Sequence, residues 1–267
     1  RKSRNPKKAH CTHDMHYAIL SAGLGSRLLS DGEKRCKPLS LIAPETTLME
    51  RLAKQMCKNN AQSISIIVNE RMPELVQYAK QLGEQLPVQW RVVEAFTQGS
   101  LESFALLAQV LPKEGKFCLT TVDSVFSDEE FGEFIRTAEQ MPQGENTALM
   151  AVTPYVADEK PLYVTVQAAT QAITGFHDEQ PTLAEDETLM VSGGIYALSA
   201  PYAIELAQQC VEQGLKRMRQ YQRQLLKQCN CMKAFVFKKI IDVDHASDLE
   251  TARSFVNDTH NHQNDNN

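Results

Sequence analysis

The sequence lacks any apolar run that approaches the ~20 residues needed to span a membrane. Aromatic residues are also scarce, at 7% of 267 residues, although 42% of the chain is hydrophobic and a full core can form. The basic N-terminal segment has no apolar stretch behind it, which excludes a secretory signal peptide. We therefore expect a soluble, cytoplasmic protein that has no membrane partner.

The sequence also lacks a disulfide framework and a metal-binding cysteine pattern. Its seven cysteines are an odd number without regular spacing, which indicates reduced thiols. Cys229 and Cys231 form the one close pair, and no second Cys or His pair follows at the spacing of a zinc site. We expect free thiols and no zinc.

Basic charge is concentrated at the start of the chain. The formal net charge is −5, yet residues 1–8 contain five Lys or Arg and no acid, so the rest of the chain is more acidic than this total. Nucleic-acid binding needs a basic stripe on the folded surface, and we exclude nucleic acid as a main partner. We predict that residues 1–14 are a disordered basic leader and that the Asn-rich residues 257–267 are a disordered polar tail.

Short apolar runs alternate with helical patterns through residues 15–145. This βαβα repetition predicts a mainly parallel sheet with helices on both faces and with ligands at the carboxyl ends of its strands. Residues 146–256 are rich in strand patterns, and we predict that they finish with a helix over 201–228, a strand over 233–242 and a helix over 246–256. We interpret the two halves as one α/β domain in which the second half completes a site with the first.

A glycine-rich turn follows the first apolar strand, residues 16–21. Glycines at the carboxyl end of a strand let backbone N–H groups converge on an anion with no Cβ in the way. A dinucleotide fingerprint fails because Leu28 stands where the third glycine is required, and a P-loop fails because no Gly-Lys-Ser/Thr follows. We predict a phosphate-binding loop made of Ser21, Ala22, Gly23, Leu24, Gly25 and Ser26.

Two cations follow this loop. Arg27 offers a planar fork of five donors, and Lys37 offers a point charge. Pro38 restricts the backbone of Lys37 to an extended conformation, which would hold its side chain in one direction. The combination suits a triphosphate better than it suits two unrelated surface cations.

The segment "LSAGLGSRL" followed by "KPL" resembles the signature of the nucleotide-sugar pyrophosphorylases, the sugar-phosphate nucleotidylyltransferases. This resemblance implies a three-layer, Rossmann-like fold of the GT-A type, with a strand-rich second half that binds the acceptor. It implies transfer of a nucleoside monophosphate from an NTP to a phosphorylated acceptor, with release of pyrophosphate. In this interpretation residues 21–26 wrap the nucleotide phosphates. Arg27 and Lys37 are then the catalytic cations, Arg27 on the leaving pyrophosphate and Lys37 also on phosphate.

Further segments match the family in the expected order. Gln98, Gly99 and Ser100 resemble the element that lines its base pocket, although Ser100 also has the character of an ordinary helix N-cap. Asp123, at the end of an apolar strand, and Asp244, in "IIDVD", match its two metal-binding carboxylates and imply a bound Mg²⁺.

Asp244 and two carboxylates near it also have simpler interpretations. A helix N-cap is the alternative role for Asp244 itself. We interpret Asp242 as structural, and Asp248 as a carboxylate in the first turn of the last helix, where it favours the helix dipole. His245 and Ala246 depart from the Thr-Pro of the family.

The acceptor side matches less closely. Gly193 and Gly194 stand in "VSGGIYAL", which is similar to the family's Asn-Ala-Gly-Ile-Tyr segment, with Ser192 in place of the Asn. Glu179 is kept as an acceptor ligand, but Gln180 replaces the usual lysine. The acceptor therefore stays open among sugar 1-phosphates, other sugar phosphates and phosphocholine.

Two alternatives to nucleotidyl transfer remain. A GT-A glycosyltransferase would carry Asp-x-Asp where this chain has Asp123-Ser124-Val125. A catalytically degenerate regulator would bind nucleotide without turnover, and the departures from the family at Gln180, Ser192 and His245 suit it. No Ser/His/Asp or Cys/His signature competes, and the sequence indicates neither the nucleobase nor an oligomeric state.

Overall fold

The computed structural model describes residues 15–264, with side chains described as far as residue 259. Helices and strands alternate through the first half, and strands dominate the second. A short 3-10 turn over Lys37–Leu39 lies between α1 and β2. In chain order the elements are β1 (Met15–Ser21), α1 (Ser26–Ser30), β2 (Leu41–Ala43), β3 (Thr46–Thr47), α2 (Leu48–Lys58), β4 (Ala61–Asn69), α3 (Pro73–Gln85), β5 (Gln89–Ala95), α4 (Ser100–Ala108), β6 (Lys116–Thr121), β7 (Ser124–Val125), α5 (Asp128–Gln140), β8 (Thr147–Thr153), β9 (Tyr163–Gln167), β10 (Ile173–His177), β11 (Glu187–Ser199), α6 (Ala200–Glu212), α7 (Met218–Gln228), β12 (Cys231–Val236), β13 (Ile241–Asp242) and α8 (Ala246–Asn264).

A nine-stranded sheet joins the two halves, with β10, β9, β11, β6, β1, β4 and β5 as neighbours in that order. The pairs β6–β1, β1–β4 and β4–β5 are parallel, as the βαβ crossovers require. The long strand β11 is antiparallel to β6, β8 and β9, and β8 pairs with β12 in parallel. The predicted α/β class, with a large central sheet and helices packed on it, is confirmed.

Alternate residues of β1 point into two separate cores. Tyr17 and Ile19 belong to a core that also contains residues of α2, α3 and α5. Ala18 and Leu20 belong to a core that contains residues of α4, α6 and α7. Because side chains alternate along a strand, this pattern makes three layers with helices on both faces of the sheet. No helix of residues 15–264 combines the length and apolar composition that crossing a membrane requires.

The prediction of one helix over 201–228 is wrong, because these residues form two helices, α6 and α7. Gly214 has a φ of 79°, and Leu215 N donates to Cys210 O at 3.0 Å while Gly214 N donates to Val211 O at 2.9 Å. This pair of hydrogen bonds is a Schellman motif, which ends α6. The chain then turns through Leu215–Arg217 before α7 starts, and this turn and the first residues of α7 place three cations beside the site described below.

The last two predicted elements also differ from the structure. The strand expected over 233–242 is divided into β12 and β13, and β13 pairs with β7 rather than with the main sheet. Helix α8 continues past its predicted end at Val256 to Asn264, into the segment expected to be a disordered tail. The sequence gives no apolar periodicity there, while Thr259 Oγ1 bonds back to the carbonyls of Phe255 and Val256. The expected leader, residues 1–14, and residues 265–267 lie outside the described residues.

Candidate active site

Two cavities meet at the carboxyl ends of β1 and β6. The first, which we call the loop cavity, has a volume of about 570 Å³ and is lined by the 20–25 segment, Lys37 and Phe96. The second, which we call the lobe cavity, has a volume of about 590 Å³ and is lined mainly by residues of the second half. Both cavities contain Gln98, Gly99, Ser100, Thr121 and Asp123 in their walls. The structure thus brings the predicted loop, base-pocket and acidic residues together.

The glycine loop is shaped around Lys37. Gly25 has a φ of 61° and caps the short helix α1. A Cβ at this position would lie 2.9 Å from the Cβ of Lys37, so only glycine allows this approach without displacement. Asn69 Nδ2 donates to Ala22 O at 3.2 Å and holds the start of the loop against β4.

Lys37 contacts carboxylates in this structure. Its Nζ lies 2.8 Å from Asp123 Oδ2 and 2.6 Å from Asp244 Oδ1, and its side chain is 11% exposed. Burial opposes the charge, but the two carboxylates outweigh burial and raise the pKa of Lys37. Arg27 Nη1 lies 2.9 Å from Asp244 Oδ2, with its side chain 55% exposed. Both predicted catalytic cations therefore border the predicted metal site.

Three carboxylates converge at this point, one more than the sequence predicted. Oxygens of Asp123, Asp242 and Asp244 all lie within 4.8 Å of one another. Asp242, which the sequence suggested was structural, joins this group, because β13 runs antiparallel to β7 and pairs Asp242 with Ser124, the neighbour of Asp123. The Asp-x-Asp spacing was the sequence signal for this.

The cluster of Asp123, Asp242 and Asp244 fits a divalent cation. Its donors are hard oxygens, the kind that Mg²⁺ binds. Burial opposes ionisation of Asp123, but the Lys37 ammonium and its hydrogen bond lower the pKa of this carboxyl. Desolvation and the charges of Asp123 and Asp244 hold the pKa of Asp242 well above its ordinary value. The site thus contains more negative charge than Lys37 alone compensates.

The Ser100 side chain does not cap α4, contrary to the N-cap interpretation. Gly99 is the N-cap residue of α4, and Ser100 Oγ accepts instead from Met218 N at 3.0 Å. Leu101 N donates to Lys216 O at 3.0 Å. A Cβ on Gly99 would lie 2.3 Å from that same carbonyl oxygen. The starts of α4 and α7 are therefore in direct contact between the two cavities.

The two predicted acceptor glycines lie in the lobe cavity, where the register of β11 shifts. Gly194 has a φ of 72°, and a Cβ there would lie 2.9 Å from the hydroxyl oxygens of both Thr121 and Ser124. A Cβ on Gly193 would lie 2.2 Å from Ile240 Cδ1. These glycines keep the wall of the cavity close to the end of β6.

Three cations that sequence reasoning missed line the lobe cavity: Lys216, Arg217 and Arg219. Within the described part of the chain, only Arg219 of these three forms an ion pair, at 2.7 Å from Asp178. They were hidden inside the predicted helix 201–228, and Gly214 was the available signal of a break. Glu179 and Gln180 lie in an adjoining groove of about 750 Å³ and not in the wall of the lobe cavity.

A polar cluster made of the buried Tyr196 and Gln222 and the half-buried Ser192 lines one wall of the lobe cavity. Gln222 Nε2 donates to Ser192 Oγ at 3.1 Å. Burial raises the pKa of Tyr196 to about 12, and the hydrogen bond from Ser192 opposes this rise. Sequence reasoning missed Gln222, although a glutamine on the otherwise apolar face of Met218, Tyr221 and Leu225 was a visible anomaly.

The start of α8 holds Asp244 in place. Asp248, in the first turn as predicted, accepts from Asp244 N at 3.1 Å and from His245 N at 2.7 Å. His245 Nδ1 lies 2.8 Å from Asp31 Oδ2, which joins α8 to the end of α1. The carboxylate of Asp244 faces Lys37 and Arg27, so the alternative N-cap role is wrong.

Comparisons with known proteins agree with this fold. Residues 17–259 match the family model described as nucleotidyl transferase. The fold is similar to an inositol-1-phosphate CTP transferase from T. maritima, with a TM-score of 0.71, 17% identity, and coverage of 90% of this chain and 95% of that one. It is similar to a UDP-glucose pyrophosphorylase complexed with UDP-glucose, with a TM-score of 0.72, 14% identity, and coverage of 92% and 99%. It is also similar to a UTP-bound UGPase from Acinetobacter baumannii, with a TM-score of 0.70, 15% identity, and coverage of 91% of this chain and 93% of that one. No curated protein matches the sequence.

Proposed function

This chain belongs to the nucleotidyl transferase family, and on that premise we propose that it condenses an NTP with a phosphorylated sugar or a similar small phosphorylated polyol. The products are the nucleoside diphosphate derivative of the acceptor and pyrophosphate. The observation that carries the proposal is the meeting of two cavities at Asp123, one built on the glycine loop and the other lined by cations.

The chemistry needs no protein nucleophile. An oxygen of the acceptor phosphate attacks the α-phosphorus of the NTP in line, a new P–O bond forms, and the bond between the α-phosphorus and the bridging oxygen breaks. Pyrophosphate leaves with that oxygen. The protein contributes by positioning both phosphates and neutralising their charge. Arg27 and Lys37, beside the junction of the cavities, are the residues proposed to do this for the triphosphate.

Asp123, Asp242 and Asp244 are the residues that would hold Mg²⁺. When bound, this ion would supply further neutralisation of the phosphate charge. The residues of the chain would then divide the work, the carboxylates fixing the cation and Lys37 and Arg27 contacting the phosphates. Arg27, which is half exposed, has room to reorient toward a phosphate.

The cations of the lobe cavity support a phosphorylated acceptor. Gln180 cannot provide the charge that the family's lysine provides, and it lines the neighbouring groove. Lys216 and Arg217 lie in the wall of the cavity and form no ion pair within residues 15–259. We assign the acceptor phosphate to these two side chains. The structural neighbours named for inositol 1-phosphate and UDP-glucose indicate which acceptors to test first.

The test is pyrophosphate release in the presence of Mg²⁺. Four NTPs are crossed with glucose 1-phosphate, other sugar phosphates, inositol 1-phosphate and phosphocholine. We expect one productive combination, reduced by on the order of 10³-fold in Asp123→Asn. Asp258→Asn, an exposed carboxylate on α8, is the matched control and should retain full activity.

Two results would contradict the proposal. If an NTP raised the melting temperature but no acceptor gave product, the regulatory alternative would replace the enzyme. If no NTP altered the melting temperature, the loop cavity would not be a nucleotide site.

A further inference from the structure

We infer that Gln222 is a specificity-determining residue of the lobe cavity, whose free amide oxygen accepts a hydrogen bond from a hydroxyl group of the acceptor. Gln222 is only 1% exposed, yet it lines this cavity. Its Nε2 donates to Ser192 Oγ at 3.1 Å, while its Oε1 has no hydrogen-bond partner among residues 15–259. Because Gln222 lines the cavity and only its Nε2 is engaged by the protein, its Oε1 is open to a hydrogen bond from a ligand hydroxyl group or a water.

The position of this amide is fixed from two sides. Helix α7 is packed through Met218, Tyr221 and Leu225, and Tyr221 Oη donates to Ala203 O at 3.1 Å. From β11, the Ser192 hydroxyl holds the Nε2 end of the amide. The oxygen is therefore presented in one direction, as recognition of a single hydroxyl group requires.

This cluster separates the candidate acceptors by their chemistry. A phosphorylated sugar or cyclitol carries several hydroxyl groups that can donate to Gln222. The quaternary ammonium of phosphocholine has no hydrogen-bond donor and is usually recognised by the faces of aromatic rings. Of the aromatic residues that line the cavity, Tyr155 already contacts Lys239 Nζ, at 4.5 Å from the ring centroid, and Tyr196 is buried beside Ser192. The cavity thus favours a polyol.

This inference rests on the proposed function, because it assigns the lobe cavity to the acceptor. The test is therefore direct binding to the full chain, measured by titration calorimetry with glucose 1-phosphate, inositol 1-phosphate and phosphocholine as probes. Gln222→Met removes both polar ends of the side chain at similar volume. Gln224→Met is the matched control, since Gln224 is on the same helix but lines neither cavity. Ser192→Ala removes the partner that orients the amide.

We expect a polyol phosphate to bind the wild type about 10-fold more tightly than Gln222→Met. Gln224→Met should bind it with the affinity of the wild type, and the affinity of Ser192→Ala should lie between those of the wild type and Gln222→Met. One monodeoxy analogue of the bound polyol should bind the wild type more weakly than its parent compound, and this difference should vanish in Gln222→Met. A purely structural role of Gln222 would leave the difference intact.

The inference is overturned if Gln222→Met binds the polyol phosphate as the wild type does, if every analogue keeps its relative affinity in the variant, or if only phosphocholine binds. Turnover by the same proteins separates the two proposals. Polyol binding that depends on Gln222 but occurs without turnover would keep this inference and reject the proposed reaction. Turnover that does not change in Gln222→Met would keep the proposed reaction and reject this inference.

Discussion

At the scale of single residues, Lys37 sets the charge balance of the site. Its ammonium group contacts both Asp123 and Asp244, and its side chain is 11% exposed. Among the described residues, replacing Lys37 by Met leaves Asp123 without a cation and Asp244 with the half-exposed Arg27 alone, and we expect the free energy of unfolding without Mg²⁺ to fall by about 3 kcal/mol. Mg²⁺ should raise the melting temperature of this variant more than that of the wild type, because the ion replaces the missing charge. Thermal unfolding with and without Mg²⁺ measures both effects.

The control for Lys37→Met is Lys54→Met. Lys54 pairs with Glu50 at 2.7 Å along α2, but its side chain is 56% exposed. Exposed pairs of this kind contribute about 0.5 kcal/mol or less. Equal Mg²⁺ shifts in Lys37→Met and in the wild type would show that the ion does not bind at these carboxylates.

Gly194 is a second residue whose identity is dictated by its position. A φ of 72° is unfavourable for alanine, and a Cβ would also lie 2.9 Å from the Thr121 and Ser124 hydroxyls. We expect Gly194→Ala to lower the free energy of unfolding by about 2 to 3 kcal/mol. Gly144→Ala is the matched control, because Gly144 has a φ of 76° but no atom within 4 Å of an added Cβ. Chemical denaturation of both variants separates backbone strain from steric contact, and equal losses would show that the contact is relieved by small movements.

At the scale of secondary-structure elements, the junction of α4 and α7 connects the two cavities. Gly99 has an extended backbone that any residue adopts, so its requirement comes only from the approach of Lys216 O. We expect Gly99→Ala to displace the start of α7 and to raise the acceptor KM more than the NTP KM, because Lys216 and Arg217 move with it. Steady-state kinetics with each substrate varied in turn measures this.

Ser100→Ala is the comparison for Gly99→Ala. It removes the hydroxyl that accepts from Met218 N but adds no atom at the junction. We expect a loss of about 1 kcal/mol in stability and a smaller rise in the acceptor KM. If Gly99→Ala raised the KM of NTP and acceptor equally, the junction would not act through α7.

The elements that the sequence predicted well are those with their own local signals. The parallel strands have continuous apolar runs, and α2 has the N-cap Thr47, which accepts from Glu50 N at 3.1 Å. The division of α6 from α7 was missed because the apolar positions continue on both sides of Gly214 and hide its left-handed turn. The division of the predicted strand 233–242 into β12 and β13 was missed because the pairing of β13 with β7 is a long-range contact with no local pattern.

The same distinction applies to the site. The glycine loop, Arg27, Lys37, Asp123 and Asp244 could be identified because short segments carry them. Lys216 and Gln222 were missed because no short motif carries them, and their only signals were the break at Gly214 and a glutamine on an apolar face of α7. The positions that we propose contact the acceptor are thus brought together by tertiary contacts more than by motifs.

At the scale of the whole molecule, the two halves share one sheet and one of its cores. Strand β6 pairs with β1 of the first half and with β11 of the second. On one face of the sheet, Phe104 and Tyr221 pack edge to face with ring centroids 5.3 Å apart, although they come from different halves. Separating the halves would therefore expose apolar surface on both, which favours unfolding as a single unit.

This shared core predicts one calorimetric transition whose melting temperature rises with either substrate. Binding to the native state alone stabilises it by mass action, by about 2.7 kcal/mol at a ligand concentration of 100 Kd. We expect the NTP, proposed to bind the loop cavity of the first half, and the acceptor, proposed to bind mainly the second half, to shift the same peak, and their effects to combine when both are present. Differential scanning calorimetry measures this. Two resolved transitions, each moved by only one substrate, would show that the halves unfold independently and that the sheet does not couple them.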